Sequence, residues 1–284
     1  MQDIVVASEA LAAQELTRND LRRRYVKLHR NVYVLNGVSL TARDRAYAAW
    51  LWSGRNAVVA GTSAAAMHGA RWLPSAPPAE LTRTRCSAAS GIVIHREALF
   101  DDEVCLVQSL DCTTVARTVF DMGRRIPGDD AVIRIDALLN ATRCPLAEVH
   151  RVASRRPGAR GIRRLRQVLD LVDGGAESPQ ETRVRLLLVR GGMPRPETQV
   201  PISDARGRVV RRIDMGWPVC RVGVEYDGQH HWTDPTAHAE DIARLEFLAA
   251  RGWLIVRVSA RHLRDPESVL RRVRDALRSR MHAC

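Results

Sequence analysis

Between Arg211 and Trp232 the chain reads RRIDMGWPVCRVGVEYDGQHHW, its densest run of groups able to hold a cation or move a proton. Val222, Val224 and Tyr226 alternate with Gly223, Glu225 and Asp227, the period of a β-strand with one apolar and one acidic face. Glu225 and Asp227 then project to the same side, roughly 7 Å apart. Residues 209–214 predict a preceding strand and 215–220, with Gly216 and Pro218, the turn, so that an antiparallel return brings Asp214 near Glu225. Asp214, Glu225 and Asp227 would offer hard oxygen donors of the kind Mg²⁺ accepts, and Mn²⁺ takes the same donors. Such an ion neutralises charge on a phosphate and lowers the pKa of bound water. Gly223 lies on the acidic face, where a missing side chain leaves room for a phosphate. Gly228 opens a turn that delivers Gln229, His230 and His231 beside the carboxylates, and an imidazole moves a proton near neutral pH. A solvated acidic face with surface histidines would explain any one of these residues alone; their concentration favours a site.

The elements that must position this stretch follow from the flanking pattern. Ser178, Pro179 and Glu181 open a helix with serine as N-cap and glutamate at its third position, and Val184, Leu187 and Leu188 set that helix on a core. The cap role accounts for Glu181, which also comes within range of the acidic site. A strand at 199–202, the Asp214/Glu225 hairpin, a helix at 237–250, a buried strand at 253–258 and a helix from Asp265 through Leu277 complete the order. Helix, three strands, helix, strand, helix predicts a mixed sheet covered on both faces. Asp241 and Arg244, three apart, are expected to pair on their helix surface, and Trp232 and Trp253 to lie in the core.

The first half reads differently. Residues 8–16 form a helix pattern, and Thr17 with Asp20 three residues later caps a second helix with Leu21 inside and Arg18, Arg22, Arg23 and Arg24 outside. Residues 25–35, YVKLHRNVYVL, alternate like a β-ribbon carrying Lys27 and Arg30. This order describes a winged helix-turn-helix, whose second helix enters the DNA major groove; an arginine-rich helix packed on a hairpin without a ligand is the plainer alternative. Helices are expected at 42–52, 62–68, 113–122, 129–140 and 146–153, and strands at 81–83 and 92–96 around a turn at 87–91. His68 and His95 are expected to be packed or hydrogen-bonded, since no nucleophile accompanies them. A basic stretch at 155–166 reads as a solvated connection into a helix with an apolar stripe at Leu165, Val168, Leu169 and Val172, ended by Asp173, Gly174 and Gly175.

The 284 residues are enough for two domains of ordinary size. The net charge is +12, and Lys27 is the only lysine, so the basic charge is almost wholly arginine, whose planar fork suits phosphate. DNA is the first partner such a balance suggests. The six cysteines include no CxxC and no zinc spacing, which points to reduced thiols in the cytoplasm. Neither a signal-peptide pattern nor a membrane span is evident, and a soluble intracellular protein is expected.

The motifs LTRNDLRRR with HRNVYVL, TSAAAMHG, IVIHR and TTVARTVFD resemble those of the AbiEi antitoxins, repressors of type IV toxin-antitoxin pairs, over roughly residues 5–140. That resemblance implies a DNA-binding winged helix and a cognate toxin as partner; Asn31 stands where such wings often turn with glycine. The later motifs SPQE, RRID, VEYDGQHHW, the helix of Asp241 and Arg244, and RGWLIVRV, in that order, resemble the Vsr-like branch of the PD-(D/E)XK nucleases over about residues 176–280. By that resemblance Asp214 and Glu225 bind the metal, Asp227 stands where the superfamily's lysine would be, His231 handles the proton, Glu181 matches the glutamate of the opening helix, and Gln229 is a lesser candidate. The resulting expectation is an α+β chain. A mostly helical N-terminal half with a winged helix (1–40), a helical and mixed region with the basic linker (41–175) and a restriction-endonuclease-like α/β domain (176–284) follow one another. Its function would be metal-dependent hydrolysis of DNA phosphodiesters, the alternative being a non-catalytic DNA-binding repressor or antitoxin with a degenerate nuclease fold.

Overall fold

The computed structural model describes residues 3–84, 89–228 and 235–281. The chain is α+β and divides into two compact units, Met1–Val172 and Asp173–Cys284. Gln229, His230, His231 and Trp232 lie outside the described residues, as do Ser87 and Ala88 of the 87–91 turn.

The first unit opens with β1 (Ile4–Val6), α1 (Ala7–Ala12), α2 (Arg18–Arg24), β2 (Tyr25–His29) and β3 (Val32–Leu35), the strands pairing in the order β1-β3-β2. The expected capping box forms: Asp20 N–H donates to Thr17 Oγ1 at 3.1 Å and Thr17 N–H to the Asp20 carboxylate at 2.9 Å. The first helix is shorter than its pattern predicted, ending before Gln14, which adopts φ +57°. Asn31 turns the β2–β3 hairpin at φ +64°. Asparagine serves where glycine was expected because its side chain ties the turn down: Ser8 N–H donates to Oδ1 at 3.0 Å and Nδ2 donates to Ser8 Oγ at 2.8 Å.

Helix α3 (Ala42–Trp52) joins this sheet to the next. Its Ala48 and Leu51 pack with Ile4, Val32 and Val34, while Ala46 and Ala49 pack with Val59, Ala79 and Leu81. The shared helix is why residues 1–40 do not separate as a unit of their own. There follow β4 (Val58–Val59), α4 (Gly61–Met67), β5 (Ala79–Thr82), β6 (Ile92–His95), β7 (Val104–Val107) and β8 (Leu110–Thr113), in a five-stranded sheet of order β6-β5-β4-β8-β7. Strands β5 and β6 pair in parallel, so the two strands expected around a turn are not a hairpin. Only two of these five strands were legible in a half expected to be mostly helical. Helices α5 (Val115–Arg125), α6 (Asp129–Thr142), α7 (Leu146–Ser154) and α8 (Ile162–Leu169) end the unit.

The second unit runs α9 (Pro179–Arg190), β9 (Glu197–Ser203), β10 (Val209–Trp217), β11 (Val222–Asp227), α10 (Pro235–Ala250), β12 (Leu254–Ser259) and α11 (Pro266–Met281), the expected order. Its four strands lie β12-β11-β10-β9, antiparallel except for the parallel β11–β12 pair. One face packs Met215, Trp217, Val222, Val224 and Val258 against Val184 and Leu188 of α9 and Val269, Val273 and Leu277 of α11. The other packs Val200, Ile202 and Ile213 with Leu248 of α10. Among the described residues no helix is long and apolar enough to cross a membrane.

Candidate functional site

Strands β10 and β11 bring the acids together. Their register pairs Met215 with Val224 and Gly216 with Gly223, so the position opposite Asp214 is Glu225. The Asp214 carboxylate accepts the Tyr226 amide at 2.7 Å, so a side chain satisfies the backbone where the ladder ends. Across the sheet, Ile213 pairs with Val200 and Met215 with Thr198. Gln199, the residue between, sits at φ +51°, and on passing it β10 changes face: Ile213 packs toward Leu248 and Met215 toward Val224. Backbone held in this region costs about 1–3 kcal/mol for a residue with a side chain and concentrates at working sites.

Helix α9 supplies a third carboxylate. Ser178 Oγ accepts the Glu181 amide at 3.2 Å, and Pro179 occupies the first turn. Glu181 Oε2 accepts the Glu177 amide at 2.9 Å and Gln199 Nε2 at 3.4 Å. The side chain is only 9% exposed. Burial, then the charge of Asp214, lifts its carboxyl to a pKa of about 7. Asp214 is also raised, by burial first and with a contribution from Glu177, against the pull of the Tyr226 amide and Arg244. Glu225 is raised by burial and by Asp214, against Arg244 and Arg257. Asp214 thus stands between two largely buried acids, Glu181 and Glu225, and its charge raises both.

Two arginines answer it. Arg244 Nη2 of α10 donates to Glu225 Oε1 at 2.7 Å and to the Arg212 carbonyl at 3.1 Å. The expected surface pairing of Arg244 with Asp241 therefore gives way to a contact inside the site; the Asp241 side chain lies outside the described residues. Asp227 pairs with Arg257 Nη2 at 2.8 Å, Arg257 standing opposite Glu225 on β12. Arg257 draws Asp227 into an ion pair of its own, away from the shared cation expected for it. Among the described residues no group of three or more His, Cys, Asp or Glu side chains is arranged to hold a metal ion. Mg²⁺ commonly uses one or two carboxylates, completing its shell with water and substrate oxygens, and Asp214 with Glu225 meets that smaller requirement.

The room for a phosphate expected over Gly223 is filled. A Cβ there would stand 2.8 Å from both Ile213 Cγ2 and Ile255 Cδ1, so the glycine serves close packing. Gln229 and His231, expected to act on the proton, lie outside the described residues, as does His230. Gln199 and Arg257 are site residues that sequence reasoning missed, and Arg244 was singled out only as a surface partner of Asp241. Their places in the site had no local signal, because a left-handed residue inside a strand and a helix reaching across a sheet appear only on folding.

In the first unit Arg18, Arg22, Arg23, Arg24, Lys27 and Arg30 are all exposed. None of their side chains makes a hydrogen bond or ion pair among the described residues. Lys27 and Arg30 line a cleft of about 900 Å³ together with Arg55, Arg83, His29 and Trp52. Its acid, Glu9, is held by both Arg55 Nη atoms at 2.6 and 2.7 Å.

His68 and His95 are hydrogen-bonded, as expected: His68 Nε2 lies 2.8 Å from the Thr113 carbonyl and His95 Nε2 2.9 Å from Glu80 Oε2. The TTVARTVFD stretch builds a charge network around the fully buried Arg117, which reaches Glu103 at 2.6 Å, Asp121 at 3.0 Å and Glu97 at 3.1 Å. Arg124 joins through Asp121 and Glu97, and Arg156 through Glu103. Arg155 pairs with Asp102 at 2.9 Å. The start of the expected solvated linker is therefore pinned into this network.

No family model matches the chain, and no solved structure does. Two uncharacterized proteins of Mycobacterium tuberculosis, from strains CDC 1551 and H37Rv, are each 33% identical to it over 144 residues, 51% of this chain and 53% of theirs. The chain spans about half the length of the curated relatives it matches.

Proposed function

We propose that the protein binds DNA and that its second unit hydrolyses DNA phosphodiesters with a divalent cation, Mg²⁺ or Mn²⁺, as a Vsr-like PD-(D/E)XK nuclease would. The observation that carries this reading is the crowding of Glu181, Asp214 and Glu225, acids from one helix and two strands whose carboxyl groups are all raised by burial, Asp214 adding to the rise in the other two. Such crowding is costly and serves a fold poorly; it suits a site whose chemistry supplies a cation. A bound divalent ion would neutralise phosphate charge and make a coordinated water more acidic. Asp214 and Glu225 would hold it, Asp214 being fixed by the Tyr226 amide. Glu181, which exchanges its proton near neutral pH, would take or return the proton of the attacking or leaving oxygen. His231 is the further candidate for that duty.

The N-terminal segment supports DNA binding through the exposed arginines of α2 and the basic β2–β3 hairpin, which we read as the recognition helix and wing of a winged helix-turn-helix. Lys27 and Arg30 extend that surface into the adjoining cleft, whose depth and charge suit a phosphate backbone.

A second reading has its own observation. Arg244 and Arg257 occupy Glu225 and Asp227, as befits a nuclease-like unit without catalysis that serves a DNA-binding repressor or antitoxin paired with a toxin. Incubation with supercoiled plasmid and Mg²⁺ separates the two. We expect nicking by the wild type and its loss by at least 100-fold, a figure of about 2.7 kcal/mol, in Asp214→Ala and Glu225→Ala. Nicking that survives both substitutions removes these acids from the reaction, and a wild type that binds plasmid without nicking it leaves the repressor reading.

A further inference from the structure

Arg244 meets the site through a single nitrogen among the described residues. Its one engaged nitrogen, Nη2, serves both the Glu225 carboxylate and the Arg212 carbonyl. Its Nε is buried and has no hydrogen-bond partner among the described residues. The strongest hold an arginine takes on one carboxylate is its planar fork, two parallel N–H groups to two oxygens. Arg55 does this on Glu9 in the same molecule. Arg244 instead grips one oxygen with one nitrogen, and its buried Nε is unmet among the described residues, where an unmet donor is costly. Its partner is the carboxylate that faces Asp214 across β10 and β11, the oxygen a shared cation would need.

We infer that Arg244 is an internal counter-ion that competes with a divalent cation for Glu225, so that loading the site displaces the guanidinium from Oε1. The inference rests on reading Asp214 and Glu225 as a cation site. Like charges a few ångströms apart in a partly desolvated place exclude one another, and the single-nitrogen grip is what makes the arginine the one to yield. Its role is positional: it keeps the acid pair compensated and sets how much divalent ion the site requires.

The test measures binding apart from catalysis, by titrating Mn²⁺ into the full chain in a calorimeter at pH 7.5 and low salt. Arg244→Gln is expected to bind Mn²⁺ about tenfold tighter than the wild type, equivalent to about 1.4 kcal/mol. Arg244→Lys, which keeps the charge, should stay within about threefold of the wild type. Equal or weaker binding by a folded Arg244→Gln overturns the inference, while binding that is absent from the wild type, or unchanged in Asp214→Ala, overturns the cation-site reading beneath it. A measurement on the wild type alone stands even if Arg244→Gln does not fold. Saturating Mg²⁺ should free the rotation of one slowly rotating guanidinium in the arginine side-chain NMR spectrum, and no change there also sinks the idea.

Discussion

Glu181 closes its own helix and crowds Asp214 with the same carboxyl group, and the two duties have opposite protonation preferences. Burial and Asp214 prevail over the Glu177 amide and Ser178, raising the pKa to about 7. The folded protein therefore holds this proton more tightly than the unfolded chain does. The stabilisation is complete below about pH 4.5 and is lost as pH rises through about 7. Glu181→Gln keeps an oxygen for the Glu177 amide and removes the titration. Urea unfolding at pH 5 and pH 8 should show the wild type losing stability relative to Glu181→Gln by about 2–3 kcal/mol. A constant difference between the two proteins would mean that Glu181 is not buried against Asp214. The capping role of Glu181 was legible from the SPQE spacing, whereas its proximity to Asp214 required the sheet.

At the scale of elements, α5 shows how a motif can resemble a functional signature and yet be architecture. Its Arg117 and Asp121 sit one turn apart and are buried on the same side, so the helix can enter the core only with its charges matched by Glu103 and Glu97. Arg117→Met should cost about 3–5 kcal/mol, because it strands buried carboxylates; a urea midpoint shifted by less than a quarter of that would show the acids to be compensated by Arg124 and Arg156 alone. Strand β11 carries the opposite lesson. Its alternation predicted its faces, and Val222 and Val224 are core as expected, but the emptiness over Gly223 is taken by Ile213 and Ile255. A sequence pattern specifies which side a residue faces and leaves open what comes to meet it.

For the molecule as a whole, the charge of +12 is spread unevenly in its consequences. Many arginines are consumed internally, as Arg117, Arg124, Arg156 and Arg244 are, while Arg18, Arg22, Arg23, Lys27 and Arg30 stand exposed on one N-terminal segment with no ion pair among the described residues. Phosphate contacts made there should weaken with salt, each adding roughly −0.9 to the slope of log affinity against log salt. Arg22→Ala with Arg23→Ala should therefore lower affinity for duplex DNA in a low-salt shift assay and flatten that slope by about 2. Unchanged affinity would reject α2 as the binding helix.

The sequence by itself determined the order of elements in the second unit, the Asp214/Glu225 hairpin, the capped helices and the apolar faces, because capping, turns and periodicity act over a few neighbouring residues. Only the tertiary structure decided that Gln199 takes a left-handed conformation opposite Asp214, that Arg244 reaches Glu225, that Asp227 goes to Arg257, and that β5 and β6 run parallel. Each of these joins residues distant in the chain, and the choice among partners is made by packing and charge, which have no local signature.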